Sequence, residues 1–96
     1  MDERGAAEAR LEAIRSEIDA IDDRLLALVA SRAELGIRAG DAKAALGRPV
    51  HDAARERAVV DRIVAAGAGP ISDEDLRALW ELLLAATRRA EERRAR

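Results

Sequence analysis

The chain has 96 residues, a formal net charge of −2, no Cys, one His and a single aromatic residue, Trp80, which we expect in the core. We expect one domain over residues 1–96, and the composition excludes disulfides and thiolate metal sites and leaves almost nothing for stacking on nucleic-acid bases. No apolar run approaches the roughly 20 residues that span a bilayer, and the charged N-terminus does not resemble a signal peptide, so we expect a cytoplasmic protein that binds neither membrane nor nucleic acid.

Residues 7–45 are predicted to form a long first helix, because apolar residues recur there at alternating spacings of three and four. Gly36 and Gly40 lie inside this helix and leave room for the close approach of another backbone or a ligand. Pro49 cannot continue the helix, so we expect it to end just before the Gly47–Pro49 segment. The stripe consists of Leu11, Ile14, Ile18, Ile21, Leu25, Leu28, Arg32, Leu35, Ala39, Ala42 and Leu46.

Two shorter helices are predicted to follow, which makes the fold all-α with three helices per chain. The second covers about residues 52–66, with Asp52 suited to its N-terminal turn and His51 expected as a turn residue before it. The third covers about residues 72–92 and opens with Ser72 as a capping residue. The Arg-rich tail after it is expected to fray.

The first helix is too long for a globule built by its own chain. At 1.5 Å per residue it extends about 58 Å, whereas a compact chain of this length has a radius of gyration of only about 12 to 13 Å. Its apolar stripe must therefore be buried against a second chain. We predict an intertwined homodimer, with two-fold symmetry as the commonest solution.

Charged residues occupy positions on the first helix where charge is unfavourable. Arg32 lies within the apolar stripe, and a buried guanidinium needs a bound anion or a carboxylate because it cannot lose its proton. Lys43 lies on the same face about 16 Å away, whereas Arg15 is about 25 Å away and can approach only from the partner of an antiparallel dimer. Structural roles are open for all three: an ion pair or a solvent-reaching side chain for Arg32, the helix dipole for Lys43, and plain surface charge for Arg15.

Polar residues also cluster on the other two helices. Asp52, Arg55 and Glu56 share one helix face, and Thr87 and Glu91 continue the apolar face of the third helix, where a pocket would open. Each set also has a structural interpretation, as a cap with surface ion pairs and as the solvent edge of a helix.

Taken together, these positions resemble the all-helical chorismate mutases from Leu11 to Glu91. Ile14–Lys43 is similar to the first helix of that family, and Arg48–Glu56 to its loop and the start of its second helix. Six polar residues fall in register without a gap: Arg15, Arg32, Lys43, Asp52, Arg55 and Glu56. The resemblance implies two active sites per intertwined dimer and conversion of chorismate to prephenate, a step of aromatic amino acid biosynthesis, with no cofactor and no metal.

The implied reaction is a Claisen rearrangement within one molecule. The enzyme holds the compact diaxial conformer of the substrate and stabilises negative charge on the ether oxygen as the C–O bond breaks. The resemblance gives Arg32 and Arg15 of the partner subunit one substrate carboxylate each. It implies that Lys43 binds a carboxylate and donates to the ether oxygen, to which Glu91 also hydrogen-bonds.

The remaining roles implied by the resemblance concern the ring. Asp52 and Glu56 would lie at the ring hydroxyl, Arg55 would complete the cationic wall, and Thr87 would lie near the ring carboxylate. The alternatives are a 4-amino-4-deoxychorismate mutase and a weakly active or regulatory dimer module that needs a partner enzyme. Isochorismate lyases are a weaker match, because they do not usually keep the set on the second helix.

Two positions depart from the family pattern. Glu91 stands where the family often has Gln, and a carboxyl group with an ordinary pKa of about 4.3 donates only when protonated. We therefore expect activity to fall as pH rises. Arg88 stands where the family usually has an apolar residue that lines the pocket.

Overall fold

The computed structural model describes residues 2–95, and this part of the chain forms three helices, as predicted. An isolated antiparallel bridge joins Ala68 and Ile71 between the second and third helices. Within the described residues, no helix is both long and apolar enough to cross a membrane. The helices are α1 (Glu3–Ala45), α2 (Ala53–Ala66) and α3 (Asp73–Ala95).

The ends of α1 follow from local hydrogen bonds. The helix begins at Glu3 rather than near residue 7, because Asp2 Oδ1 accepts a hydrogen bond of 2.7 Å from Gly5 N and caps it earlier than predicted. At the other end Gly47 takes a positive φ of 69°, and its N–H donates to Ala44 O at 3.0 Å. This glycine cap ends the helix where the sequence predicted.

The predicted caps of α2 and α3 are also present. Asp52 Oδ1 accepts from Arg55 N at 3.0 Å, and Ser72 Oγ accepts from Asp75 N at 3.1 Å. α3 continues to Ala95, beyond the end predicted near residue 92, and Arg96, the last residue of the tail that was predicted to fray, lies outside the described residues. Arg and Glu are strong helix formers, and basic residues in a last turn interact favourably with the helix dipole.

A small apolar core joins α2 and α3. Val59, Val60 and Leu84 are buried, and the partly buried Ile63 and Trp80 pack against them. Trp80 therefore belongs to the core, as predicted. One face of α2 packs against α3. Polar residues continue the packed face of each helix on its neighbouring turns, and these polar residues lie close together.

The last part of α1 approaches α3 through its two glycines. A Cβ atom added to Gly36 would lie 2.5 Å from Thr87 Cγ2, and one added to Gly40 would lie 3.4 Å from Glu91 Oε2. Such short distances mean that both glycines are in contact with side chains of α3. The space that the sequence predicted beside these two glycines is thus occupied by the side chains of Thr87 and Glu91.

By its internal contacts the chain divides into two compact units, and the boundary in the sequence lies between Arg32 and Ala33. In the first unit the apolar stripe is exposed in a single chain, from 45% of Leu11 to 65% of Leu28. An isolated helix with an uncovered apolar face has little stability in water. The exposure agrees with a face that another chain covers, and the homodimer and the single-domain organisation stay predictions.

Candidate active site

The centre of the candidate site is Glu91 on α3. Its side chain is half-buried and lies against Gly40 of α1. Burial raises the pKa of Glu91 above its ordinary value, because removal from water disfavours the charged form.

Four charged groups lie close enough to Glu91 to act on its pKa. Lys43 and Arg88 lower the pKa, whereas Glu56 and Asp41 raise it, and the effect of burial remains the largest. These groups come from all three helices. Lys43, Glu56 and Arg88 thus lie within electrostatic range of Glu91, although Lys43, Glu56 and Glu91 line three separate clefts.

Lys43 lies in the last turn of α1 and is partly buried. Its Nζ donates to Val50 O at 3.2 Å, in the loop between α1 and α2. An ammonium group has three donors, so this bond leaves capacity for a substrate oxygen. Lys43 and Asp52 line one cleft of about 310 Å³, which is near the lower end of the volumes typical of small-molecule sites.

Asp52 has a structural role in addition to its predicted place in the site. Its carboxylate caps α2 through the bond to the backbone N–H of Arg55. The Arg55 side chain is exposed at the first turn of the same helix. Asp52 lines the cleft, and its capping role was already visible in the sequence.

Glu56 takes part in a cluster that the sequence did not predict. Its Oε1 lies 3.4 Å from Arg88 Nη1, and its Oε2 lies 3.5 Å from His51 Nε2. Arg88 Nη1 is also 3.1 Å from His51 Nε2. His51 is in the turn before α2, as expected, but its ring faces the two charged groups. The cluster lines a second cleft of about 280 Å³ between α2 and α3.

One signal in the sequence does point to Arg88. It follows the buried Leu84 by four residues, which places it on the same face of α3. Arg88 is thus a positively charged residue in line with the apolar face of a helix, and the same pattern identified Arg32 in the sequence. Its partners could not be found in this way, because they lie in another part of the chain.

Thr87 is the one buried polar side chain recorded in the described part of the chain, with 7% exposure. Its Oγ1 donates to Leu83 O at 2.9 Å, and its methyl group packs on Gly36. Donation to a substrate carboxylate would therefore replace a bond within α3. The predicted role of Thr87 near the ring carboxylate stays a prediction.

The two remaining predicted residues belong to the first unit. Arg15 is exposed, and its Nη1 lies 3.3 Å from Glu12 Oε1 in the same helix. Arg32 is partly buried. Their predicted roles as carboxylate ligands stay predictions.

Comparisons with known proteins agree on one family. The family described as "Chorismate mutase type II" matches residues 14–92. The bifunctional chorismate mutase/prephenate dehydratase of Escherichia coli K12 is 44% identical over 61 residues, which are 64% of this chain and 16% of that protein. The chorismate mutase of Methanocaldococcus jannaschii is 41% identical over 54 residues, which are 56% of this chain and 54% of that protein.

A solved structure extends the match to the fold. The chorismate mutase (form II) from Thermus thermophilus superposes with a TM-score of 0.84 at 32% identity, and the match covers 88% of this chain and 96% of that chain. The chain thus spans nearly the whole of this structure, but 16% of the bifunctional relative and 54% of the archaeal one.

Proposed function

The chain belongs to the chorismate mutase type II family, and on this premise we propose that it is an isomerase that converts chorismate to prephenate. The observation that carries the proposal is the half-buried Glu91, with its raised pKa, beside Lys43 in a chain that matches the family over residues 14–92. In the proposal, Lys43 and, when it is protonated, Glu91 donate hydrogen bonds to one oxygen atom that becomes negative during the reaction.

The chemistry of the rearrangement explains why such a site suffices. One C–O bond breaks and one C–C bond forms within a single molecule, so the reaction needs no nucleophile. The barrier falls when the substrate is held in its reactive conformer and when the charge on the ether oxygen is stabilised. In our proposal Lys43 donates to this oxygen, and Glu91 also donates to it when it is protonated.

The substrate is a dianion, so its binding requires fixed positive charge. Arg32 and Arg15 of the partner subunit hold one carboxylate each in the proposal, because a planar guanidinium forms paired hydrogen bonds with a carboxylate. Arg55 adds positive charge beside the ring, and Thr87 lies near the ring carboxylate. The six-residue register with the family supports the roles of Arg15, Arg32 and Arg55.

The ring hydroxyl group is placed at the start of α2. Asp52 and Glu56 are one helical turn apart; Asp52 lines the cleft beside Lys43, and Glu56 lines the neighbouring cleft between α2 and α3. Carboxylates accept hydrogen bonds from a hydroxyl, and this supports the predicted position of the ring.

The basic test is a continuous assay for loss of chorismate absorbance with the purified chain. We expect saturable turnover in the wild type and a fall in kcat of about 100- to 1000-fold in Lys43→Ala, as is typical for removal of one donor to a developing oxyanion. Folded wild-type protein that consumes no chorismate, or a Lys43→Ala variant with unchanged kcat, would contradict the proposal.

The proposal includes the intertwined homodimer, which the exposed stripe of the first unit supports. Arg15→Ala and Lys43→Ala homodimers should each be inactive. If Arg15 acts across the dimer, subunit exchange creates heterodimers with one intact site, and the mixture should regain about a quarter of the wild-type activity. A mixture that stays inactive after proven exchange would contradict the cross-chain role.

The matched control is a mixture of Arg32→Ala and Lys43→Ala. In the proposal these residues act in the same site from the same chain, so no heterodimer has an intact site. Recovery in the first mixture and none in the second would separate a cross-chain contribution from a general stabilising effect of mixing.

A second candidate function is a weakly active or regulatory dimer module that depends on a partner enzyme. Matches to bifunctional relatives favour this alternative, since in those proteins the matched segment is 16% of the chain. The basic end of α3, with Arg93 and Arg94 in its last turn, is a candidate docking element. Full activity of the isolated chain would exclude a requirement for a partner.

A further inference from the structure

A cation is fixed on one of the two carboxylates that the proposed function places at the ring. Arg88 Nη1 lies 3.4 Å from Glu56 Oε1, and the side chains are 32% and 26% exposed. The pair joins α3 to α2, and both residues are electrostatically coupled to Glu91. Arg88 therefore lies at the proposed site and not on a remote surface.

The contact with His51 identifies Arg88 as the source of the positive charge on Glu56. A guanidinium has no acceptor and does not lose its proton, so in the 3.1 Å contact Arg88 Nη1 donates and His51 Nε2 accepts. A ring nitrogen that accepts carries no proton. His51 Nε2, 3.5 Å from Glu56 Oε2, therefore cannot donate to that carboxylate.

The other carboxylate at the ring is also compensated. Asp52 Oδ1 accepts from the backbone N–H of Arg55 at 3.0 Å. It caps the N-terminus of α2, where the helix dipole is positive. Neither acidic residue is thus an unopposed negative charge that would attract a cation.

We propose that Arg88, by pairing with Glu56, makes this site select a substrate with a neutral hydroxyl at ring carbon C4 over one with an ammonium group there. The inference rests on the proposed function and concerns the choice between chorismate and 4-amino-4-deoxychorismate. A hydroxyl can donate to Glu56 while Arg88 remains paired. A primary amine carries a proton at neutral pH and would bring a second positive charge to the same carboxylate.

The size of the effect follows from the distance between the two cations. Each would lie about one hydrogen-bond length from the same carboxylate, which puts them roughly 6 Å apart. At that distance repulsion between unit charges near a protein surface changes affinity by roughly 3- to 100-fold, and by about tenfold in the middle of this range. Arg88 therefore has a measurable effect on specificity.

The experiment compares kcat/KM for chorismate with kcat/KM for 4-amino-4-deoxychorismate in four proteins: wild type, Arg88→Met, Arg88→Lys and Arg77→Met. Arg77 is the matched control, because it lies on the same helix and lines the same cleft but pairs with Asp61 at 3.1 Å. We expect the preference for chorismate to fall about tenfold in Arg88→Met and to be retained in the other two variants.

The outcomes separate the inference from the proposed function. Active Arg88→Met with an unchanged ratio, or an equal fall in Arg77→Met, overturns the inference and leaves the function intact. Wild-type protein that converts neither substrate overturns the function and the inference with it. If circular dichroism shows that Arg88→Met does not fold, Arg88→Gln keeps a polar side chain at the position and carries the same expectation.

Discussion

Replacement of Gly36 by Ala should destabilise the protein even though alanine is the better helix former. In the interior of a helix, Ala is favoured over Gly by about 1 kcal/mol. The new Cβ would lie 2.5 Å from Thr87 Cγ2, well inside the roughly 3.5 to 4.0 Å at which carbon atoms attract each other. Overpacking of this kind typically costs about 1 to 3 kcal/mol.

The Thr87 methyl group cannot avoid the new atom without a further loss. Rotation of the side chain would break the 2.9 Å bond from its hydroxyl to Leu83 O, a bond that contributes about 0.5 to 1.5 kcal/mol in a buried position. The steric term therefore exceeds the gain in helix propensity. We expect a net loss of about 1 kcal/mol for Gly36→Ala, or about 4 to 8 °C in Tm for a domain of this size.

Gly40→Ala is the matched control. Its Cβ would lie 3.4 Å from Glu91 Oε2, the far end of a flexible side chain, so the gain in helix propensity should prevail. We expect Gly40→Ala to stabilise the protein by about 0.5 to 1 kcal/mol. The two variants should therefore differ by about 2 kcal/mol, although both are glycine-to-alanine changes in one helix.

A double-mutant cycle isolates the contact. Thr87→Ser removes Cγ2 and keeps the hydroxyl, and the nearest remaining contact of the added Cβ would be Glu91 Oε1 at 3.4 Å. In the Thr87→Ser background, Gly36→Ala should therefore become stabilising, with a coupling of about 2 kcal/mol.

The assay is urea unfolding followed by far-ultraviolet circular dichroism, at one protein concentration because any association shifts apparent stability. Gly36→Ala that is as stable as Gly40→Ala would refute the steric argument. The steric argument would also be refuted if Gly36→Ala changed the free energy of unfolding by the same amount in the wild type and in the Thr87→Ser background.

Three further predictions concern the helices and the site. Glu91→Gln should flatten the pH–rate profile, since wild-type activity is lost as pH rises through the raised pKa of Glu91. The raised pKa also stabilises the folded protein below the unfolded-state pKa of Glu91, and this stabilisation is lost over the same rise in pH. Tm measured against pH should therefore fall through this range in the wild type and not in Glu91→Gln. Asp52→Ala should cost about 1 kcal/mol in urea unfolding, whereas Asp52→Asn should stay near the wild type because asparagine also caps helices. Ile18→Glu, which puts a charge into the exposed apolar stripe, should reduce dimer formation in sedimentation experiments, whereas Ile18→Leu should not.

The helices could be predicted because their signals are local. The side-chain caps of α2 and α3 join residues only a few positions apart and are present where the sequence places them, and α1 ends before the Gly47–Pro49 segment as predicted. The errors are also at helix ends: Asp2 caps α1 earlier than the apolar pattern begins, and α3 continues through its basic last turn to Ala95. Apolar periodicity marks the buried part of a helix and carries no information on solvent-exposed turns.

The candidate site was predictable where one helix face defined it. Lys43 and the start of α2 lie beside one cleft, and Glu91 is half-buried on α3 as its position after the apolar face indicated. The pair of Arg88 and Glu56 was not predictable, because its members are 32 positions apart and meet only through the packing of α2 on α3.

By itself the sequence determined the number of helices, the caps of α2 and α3, the apolar stripe of α1 and the register of the family's polar residues. These depend on spacings of three and four residues and on hydrogen bonds within one turn. Only the tertiary structure decided that the glycines of α1 contact Thr87 and Glu91, that burial raises the pKa of Glu91 more than Lys43 lowers it, and that Arg88 pairs with Glu56. Those outcomes depend on the distance and rotation between helices, which local spacing does not specify.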